Sequence, residues 1–313
     1  MNGILIIDKP TGLTSHDVVN RVRRVIEQRS VGHLGTLDPS ATGVLPLVLG
    51  NMTRLAQFYS ASEKTYEGII RFGFATDTYD AEGEPISPPQ ACKASLEQLR
   101  NLARQFRGSI QQMPPPFSAK KIRGIPAYKL ARKHRDVRLK PVQVEIKEFE
   151  ILGLLDGRDG EGETQQGSRA RFRARVASGT YMRCVAHDMG QQLGCGGHLE
   201  SLRRTRLAEF EICDAHTLEQ LEEAARSPGL EEMLVHPRKL LPEMPAVTAT
   251  EEAALRIRSG RSVNLPELSR ARQVKVFLGQ AELIAIATRV AGTLFHPKIV
   301  LATDSFSLAS ERK

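Results

Sequence analysis

Chemistry in this chain would start from one carboxylate in a glycine-rich loop. Residues 32 to 50 read GHLGTLDPSATGVLPLVLG, and Asp38 stands between Leu37 and Pro39. Proline lacks a backbone donor and biases the residues before it toward extended geometry. Gly32, Gly35 and Gly43 allow tight turns and a close approach of backbone to a ligand. The apolar run from Val44 to Leu49 reads as a buried strand or a short buried helix, so core anchors the loop. Asp38 is then an acid on a rigid support, although an ordinary turn or helix cap would use the same residue. Other unusual residues concentrate at Tyr66, at the start of a strand, and at Tyr181 with Arg183, at the start of a helix. Core tyrosines with satisfied hydroxyls, or an arginine on a phosphate, would leave the same pattern.

The common cofactor and hydrolase signatures are missing. No loop ends in GK[ST], no GxGxxG follows a strand, and neither GxSxG nor HExxH occurs. Cys92, Cys184, Cys195 and Cys213 form no CxxC pair. That spacing argues against zinc and for free thiols in a reducing cytosol. No metal and no cofactor is expected.

Regular elements must hold these side chains. Ile4 to Ile7 reads as a strand. Ser15 reads as the N-cap of a helix whose face is Val18, Val19, Val22, Val25 and Ile26. Residues 52 to 59 suit a short helix, and Tyr66 to Phe74 a strand rich in branched and aromatic residues. Residues 75 to 90, with Asp, Gly and Pro, read as loop with room for a short strand inside. Ser95 with Gln98 forms a capping box for a helix with Leu96, Leu99, Leu102, Ala103 and Phe106 inward. Residues 142 to 151 alternate as a strand, 156 to 168 read as a hairpin tip, and Thr217 caps a helix running to Ala225. Arginine occupies every second position of RARFRARV, Arg169 to Val176, so one sheet face is a row of guanidinium groups offered to phosphate. Prolines between Pro237 and Pro245 suggest a linker to a second, β-rich module with strands near 274–278, 283–288 and 298–302.

Composition points to a polyanionic partner. The 313-residue chain carries a formal charge of +8. Between Lys120 and Lys140 nine residues are Lys or Arg and only Asp136 is acidic. Clustered cations of this kind suit nucleic acid. The prolines from Pro114 to Pro116 lead into that stretch, which reads as an exposed arm at about 115–141. No run approaches the roughly 18 apolar residues of a membrane span, and the N-terminus lacks a basic n-region. A cytoplasmic monomer that binds no membrane is the expectation.

The blocks KPTGLTSHDVV, GHLGTLDPSATGVLPLVLG, KTYEG, FRGSIQQMPPPFSAKKIRG and SGTYMRCVAHDMGQQLGCGGHLESLRRT occur in that order. Together with the β-rich tail they resemble the TruB family of bacterial tRNA pseudouridine-55 synthases, over most of the chain. The resemblance implies an α+β fold: a pseudouridine synthase domain at 1–240, with a mixed, largely antiparallel sheet and flanking helices. A small PUA-like RNA-binding domain at 246–305 would follow. It implies isomerisation of a T-loop uridine of tRNA, breaking C1′–N1 and forming C1′–C5 with no cofactor. Asp38 matches the family's catalytic aspartate and Arg183 the arginine that pairs with it. Tyr66 matches the tyrosine that stacks on the target base and helps with proton transfer. Tyr181 matches a second active-site tyrosine, Leu202 an apolar pocket wall, and His33 the residue that fills the gap left by the flipped nucleotide. Lys9 and Pro10 match a supporting motif. Lys120, Lys121 and Arg132 in the arm would grip the T-arm stem-loop. The alternatives are an RNA-guided synthase of the dyskerin kind, against which the basic arm argues, and a non-catalytic tRNA folding chaperone.

Overall fold

The structure is a computed structural model. It describes all residues except 87, 93, 116–120, 123, 127–138, 156–167, 227–228, 268 and 302–313. Most of the basic arm, the 156–168 tip and the C-terminal tail therefore lie outside the described residues.

The apolar runs near the N-terminus are adjacent strands. β1 (Gly3–Lys9) pairs antiparallel with β3 (Thr42–Leu49), and β2 (Val31–His33) pairs antiparallel with the C-terminal part of β3, at Leu47 to Leu49. β3 looks uniformly apolar because both faces are covered. Leu45, Leu47 and Leu49 enter one core cluster, while Val44 and Val48 enter another. Beyond β3 the chain forms β4 (Lys64–Phe72), β5 (Gly108–Gln112), the short pair β6 (Lys121–Ile122) and β7 (Ile125–Pro126), β8 (Val142–Leu155), β9 (Arg169–Val176), β10 (Gly197–Leu207) and β11 (Phe210–Glu211). The large sheet has nine strands and runs β1-β3-β10-β4-β9-β8-β5, with β2 on β3 and β11 on β10. Among the described residues its only parallel strand pair is β3 with β10, at Gly43↔Arg204 and Thr42↔Arg203.

Helices cover one face of this sheet. α1 (Ser15–Val25), α3 (Leu96–Gln105), α4 (Met182–Gln192) and α5 (Leu218–Ala224) bury apolar residues in the cluster that also holds Leu37, Ala41 and Tyr66. α2 (Ala56–Tyr59), preceded by a 3-10 turn at Gly50–Leu55, fills the expected position at 52–59. The opposite face meets a five-stranded sheet of β12 (Ala246–Ala249), β13 (Val263–Asn264), β14 (Gln273–Leu278), β15 (Glu282–Ala291) and β16 (Leu294–Val300), with α6 (Glu251–Arg258) beside it. Ile4, Ile6, Val44 and Val48 share one cluster with Phe277, Leu283, Ile286 and Ile299.

Two local readings need correction, and a third gains detail. Thr14, not Ser15, caps α1: its hydroxyl accepts from the Asp17 amide, and the Asp17 carboxylate accepts from the Thr14 amide. The arginine row of β9 does alternate as expected, but it is not a free phosphate comb. Arg169 pairs with Glu200, and Arg175 pairs with Glu63 at 3.0 Å and Glu148 at 2.7 Å. Arg173 stands in register between Glu67 and Glu150. The proline-rich stretch 237–245 does lead from one sheet to the other, and it is packed as it goes: Leu240 is buried, and Leu241 and Met244 pack beside it in the shared cluster.

Candidate active site

The loop that carries Asp38 is held almost entirely by its backbone. The Leu34 amide donates to the Pro46 carbonyl on β3 at 2.9 Å. The Gly35 and Thr36 carbonyls accept from Arg204 Nη2 at 3.0 Å and Nη1 at 3.3 Å. At Leu37 the amide donates to Ser15 Oγ at 2.8 Å, and the carbonyl accepts from that hydroxyl at 3.1 Å. The Pro39 carbonyl accepts from the Gly12 amide at 2.9 Å and from Lys9 Nζ at 3.1 Å. Leu34, Leu37 and Ala41 are buried, so the loop is also pinned by packing. Gly35 adopts φ +86°, a left-handed conformation that glycine takes at no steric cost. Asp38 therefore projects from a segment tied down on both sides.

Its carboxylate meets Arg183 in two places. Arg183 Nε is 3.0 Å from Asp38 Oδ2, and Nη2 donates to Oδ1 at 3.3 Å. A two-point contact of this kind sets orientation as well as charge. Arg183 follows the N-cap residue Tyr181 by two positions in α4. Gln112 on β5 fixes that helix start, since its Oε1 accepts from the Tyr181 amide and its Nε2 donates to the Tyr181 carbonyl. The guanidinium also donates from Nη1 to the Thr78 carbonyl and to Asp80 Oδ2, the latter at 3.3 Å. The Arg183 and Asp80 side chains are each 6% exposed, whereas Asp38 keeps 38%. Of the two acids on Arg183, Asp38 is the one open to solvent.

Asp38 stands in a recess whose walls withdraw water from it. Burial pushes its pKa above the ordinary carboxylate value, Arg183 and Lys9 pull it back, and Asp80 adds to the rise. Burial brings Lys9 down to about 8, against the opposing pull of Asp38. Lys9 is fully buried and donates to the carbonyls of Pro10, Leu13 and Pro39, which makes it a clamp beneath the loop.

Tyr66 is buried on β4, in the same cluster as Leu37 and Ala41, with Leu202 packed against it. Burial raises the pKa of its phenol, and Arg204 opposes the rise. Tyr181 is half-buried at the mouth of α4. His33 ends β2, two residues before Gly35, and burial lowers its pKa so that a neutral ring is favoured. Lys121 begins β6, while Lys120 and Arg132 lie outside the described residues. The structure therefore joins Asp38 and Arg183 directly, sets Lys9 under their loop, and gathers Tyr66 and Leu202 in the adjoining core.

Residues 75 to 90, read from sequence as loop with room for a short strand, supply Asp80, which bridges to Leu199. Its Oδ1 accepts from the Thr78 hydroxyl at 2.6 Å and the Glu82 amide at 3.1 Å, so the acid is locked in place. Ser15 and Arg204 were likewise not assigned to the site, because each acts on a distant backbone. A cleft of about 730 Å³ opens between the two sheets, but Asp38, Arg183 and Tyr181 are not among its lining residues. Among the described residues no group of His, Cys, Asp and Glu has the arrangement of a metal site.

Residues 23–182 match the family model described as TruB family pseudouridylate synthase (N terminal domain). Residues 183–241 match the tRNA pseudouridylate synthase B C-terminal domain. The chain is 48% identical to tRNA pseudouridine synthase B of Solibacter usitatus, over 96% of this chain and 100% of that protein. It is 38% identical to the Aquifex aeolicus protein of the same name, over 96% of this chain and 100% of that one. Among solved structures, an H/ACA RNP bound to a substrate RNA containing 2′-deoxyuridine superposes with a TM-score of 0.68 at 22% identity, covering 97% of this chain and 86% of that one. A Cbf5-Nop10-Gar1 complex gives 0.66 at 23%, over 96% and 85%. At that identity the likeness speaks for the pseudouridine synthase fold alone. On the family matches and the near full-length relatives, the chain belongs to the TruB family of pseudouridylate synthases.

Proposed function

We propose that Asp38 is the reacting carboxylate with which this chain isomerises a tRNA uridine, the T-loop residue at position 55, to pseudouridine. The observation that carries this reading is the two-point contact of Arg183 on an acid that is still 38% exposed. The guanidinium aims the carboxylate and favours its ionised form, against the burial that raises its pKa. As a nucleophile Asp38 makes one hard step into two. The C1′–N1 bond breaks, the uracil turns, a C1′–C5 bond forms, and the C5 proton leaves for solvent while N1 gains one. Nothing is oxidised, and no cofactor is called for.

Tyr66 would stack on the turned base and serve the proton transfer at C5. Leu202 and Tyr181 would wall the pocket. His33, held neutral, would fill the stack that the flipped nucleotide vacates, offsetting part of an extrusion cost of a few kcal/mol. The arm at 115–141, with Lys120, Lys121 and Arg132, would grip the T-arm. The unit at 246–305 is read as a PUA-like RNA-binding domain on a synthase domain of 1–240. The working form is read as a cytoplasmic monomer.

The test is release of tritium from C5-labelled uridine in a bare T-arm stem-loop, with no guide RNA added. Release by the wild-type chain that Asp38→Asn abolishes is the expected result. A wild-type chain without release on that RNA would overturn the reading.

A further inference from the structure

Arg204 is among the largest side chains that the fold buries completely. It lies on β10 between two strands that carry site residues. In the antiparallel ladder its cross-strand partner is Tyr66, and in the parallel ladder it is Gly43, at the start of the run that follows the Asp38 loop. Directly opposed residues hold their Cβ atoms about 5 Å apart, which brings the Tyr66 ring alongside. The guanidinium donates to the carbonyls of Val44 at 2.8 Å, Gly35 at 3.0 Å and Thr36 at 3.3 Å. Tyr66 faces it across the ladder, and the charge on Arg204 opposes the rise that burial imposes on the Tyr66 phenol.

A buried cation is costly without partners, and a core strand could carry an apolar residue instead. What the arginine supplies is donors aimed in fixed directions at two separate groups. We infer that Arg204 is a positioning residue coupling the two proposed reacting side chains: through Gly35 and Thr36 it sets where Asp38 stands, and through Tyr66 it sets which way that hydroxyl points. A guanidinium can only donate, so a phenol oxygen set beside it would accept from it and leave its own proton to face the bound base. The same cation favours the ionised phenol, against the burial that raises its pKa. The inference rests on Asp38 being the reacting carboxylate.

The experiment compares wild type, Arg204→Lys, Arg204→Gln, Tyr66→Phe and the double variant Arg204→Gln/Tyr66→Phe in single-turnover assays on the T-arm stem-loop, from pH 6 to 9.5. Arg204→Lys and Arg204→Gln should bind the RNA within about threefold of wild type yet react about 10- to 100-fold more slowly, the scale of a small misplacement. The pH–rate profile of Arg204→Gln should move to higher pH, and Tyr66→Phe should remove that movement. The double variant should lose at least fivefold less than the product of the single losses. Wild-type rates in Arg204→Lys, an unmoved profile in Arg204→Gln, or losses that multiply would each overturn the inference while wild-type activity leaves the Asp38 reading standing. If neither Arg204 variant folds, amide exchange over residues 34–40 in Tyr66→Phe decides. Faster exchange than in wild type supports the coupling, and unchanged exchange overturns it.

Discussion

Arg183 Nη1 stands 3.3 Å from Oδ2 of Asp80, a carboxylate 103 residues away in the chain. The same guanidinium reaches Asp38 through Nε and Nη2. Arg183 is thus strung between two acids, one sealed and one open. The sealed acid steadies the arginine, and the arginine aims the open one.

Asp80→Asn tests that division of labour. Asparagine keeps an oxygen for the Thr78 hydroxyl and the Glu82 amide, so the loop should survive. Arg183 loses one of its anchors, and a rate drop of about 10- to 100-fold is expected with RNA affinity little changed. Because the Asp80 charge helps to raise the Asp38 pKa, its removal lowers that pKa. The acid limb of the rate profile should therefore shift to lower pH. A limb that stays in place would show that Asp80 does not act on Asp38 electrostatically.

Asp38→Asn should abolish isomerisation by a factor on the order of 10⁴ or more, the scale seen when a nucleophile is removed. Binding of the T-arm should stay within about threefold. The sign of the stability change follows from the raised pKa: the folded state disfavours the ionised carboxylate, so its contribution falls as pH rises through the folded pKa. A neutral asparagine removes that cost, and Asp80 remains to hold Arg183. The unfolding midpoint of the variant at pH 7.5 should therefore be no lower than that of wild type. A clear drop, or lost RNA binding, would mark Asp38 as structural.

Gly43→Ala and Gly179→Ala separate backbone strain from collision. Both glycines have positive φ, +102° and +91°. A Cβ on Gly43 would lie 2.2 Å from the Arg204 carbonyl oxygen, where β3 and β10 run side by side. A Cβ on Gly179 would meet nothing within 4 Å. Gly179→Ala should cost about 1–2 kcal/mol of left-handed strain. Gly43→Ala should cost more than about 4 kcal/mol or prevent folding. Thermal unfolding of the two variants side by side is the measurement, and equal losses would contradict the close approach.

What was legible in the sequence follows from how far each signal reaches. The strand from Val44 to Leu49 announces itself because both of its faces are covered, by helices on one side and by the second sheet on the other. The pairing of Asp38 with Arg183 spans 145 residues, and resemblance rather than local pattern pointed to it. Ser15 looked like a cap because it opens an apolar helical face. The real capping box uses Thr14 with Asp17 in the position where Glu or Gln is the usual sign, which freed Ser15 for Leu37. The arginines of β9 looked unopposed because Glu63, Glu148 and Glu200 arrive on or beside other strands. Periodicity gives a face, but only register gives its neighbours. Asp80 and Arg204 escaped for that same reason.

Lys9 offers the last test, because its role as clamp and its charge pull in opposite directions. Lys9→Met leaves the carbonyls of Pro10, Leu13 and Pro39 without the donor they now share. The expected cost is about 2–4 kcal/mol, with slower isomerisation because the Pro39 end of the Asp38 loop is released. Burial holds the Lys9 pKa near 8, below the ordinary lysine value. The folded state then binds that proton more weakly than the unfolded chain. The stability Lys9 contributes is complete above the unfolded pKa and declines as pH falls through about 8. The gap in unfolding midpoint between wild type and Lys9→Met should accordingly be wider at pH 9.5 than at pH 6.5. A gap that narrows with rising pH would mean that the ammonium form is the one the fold prefers.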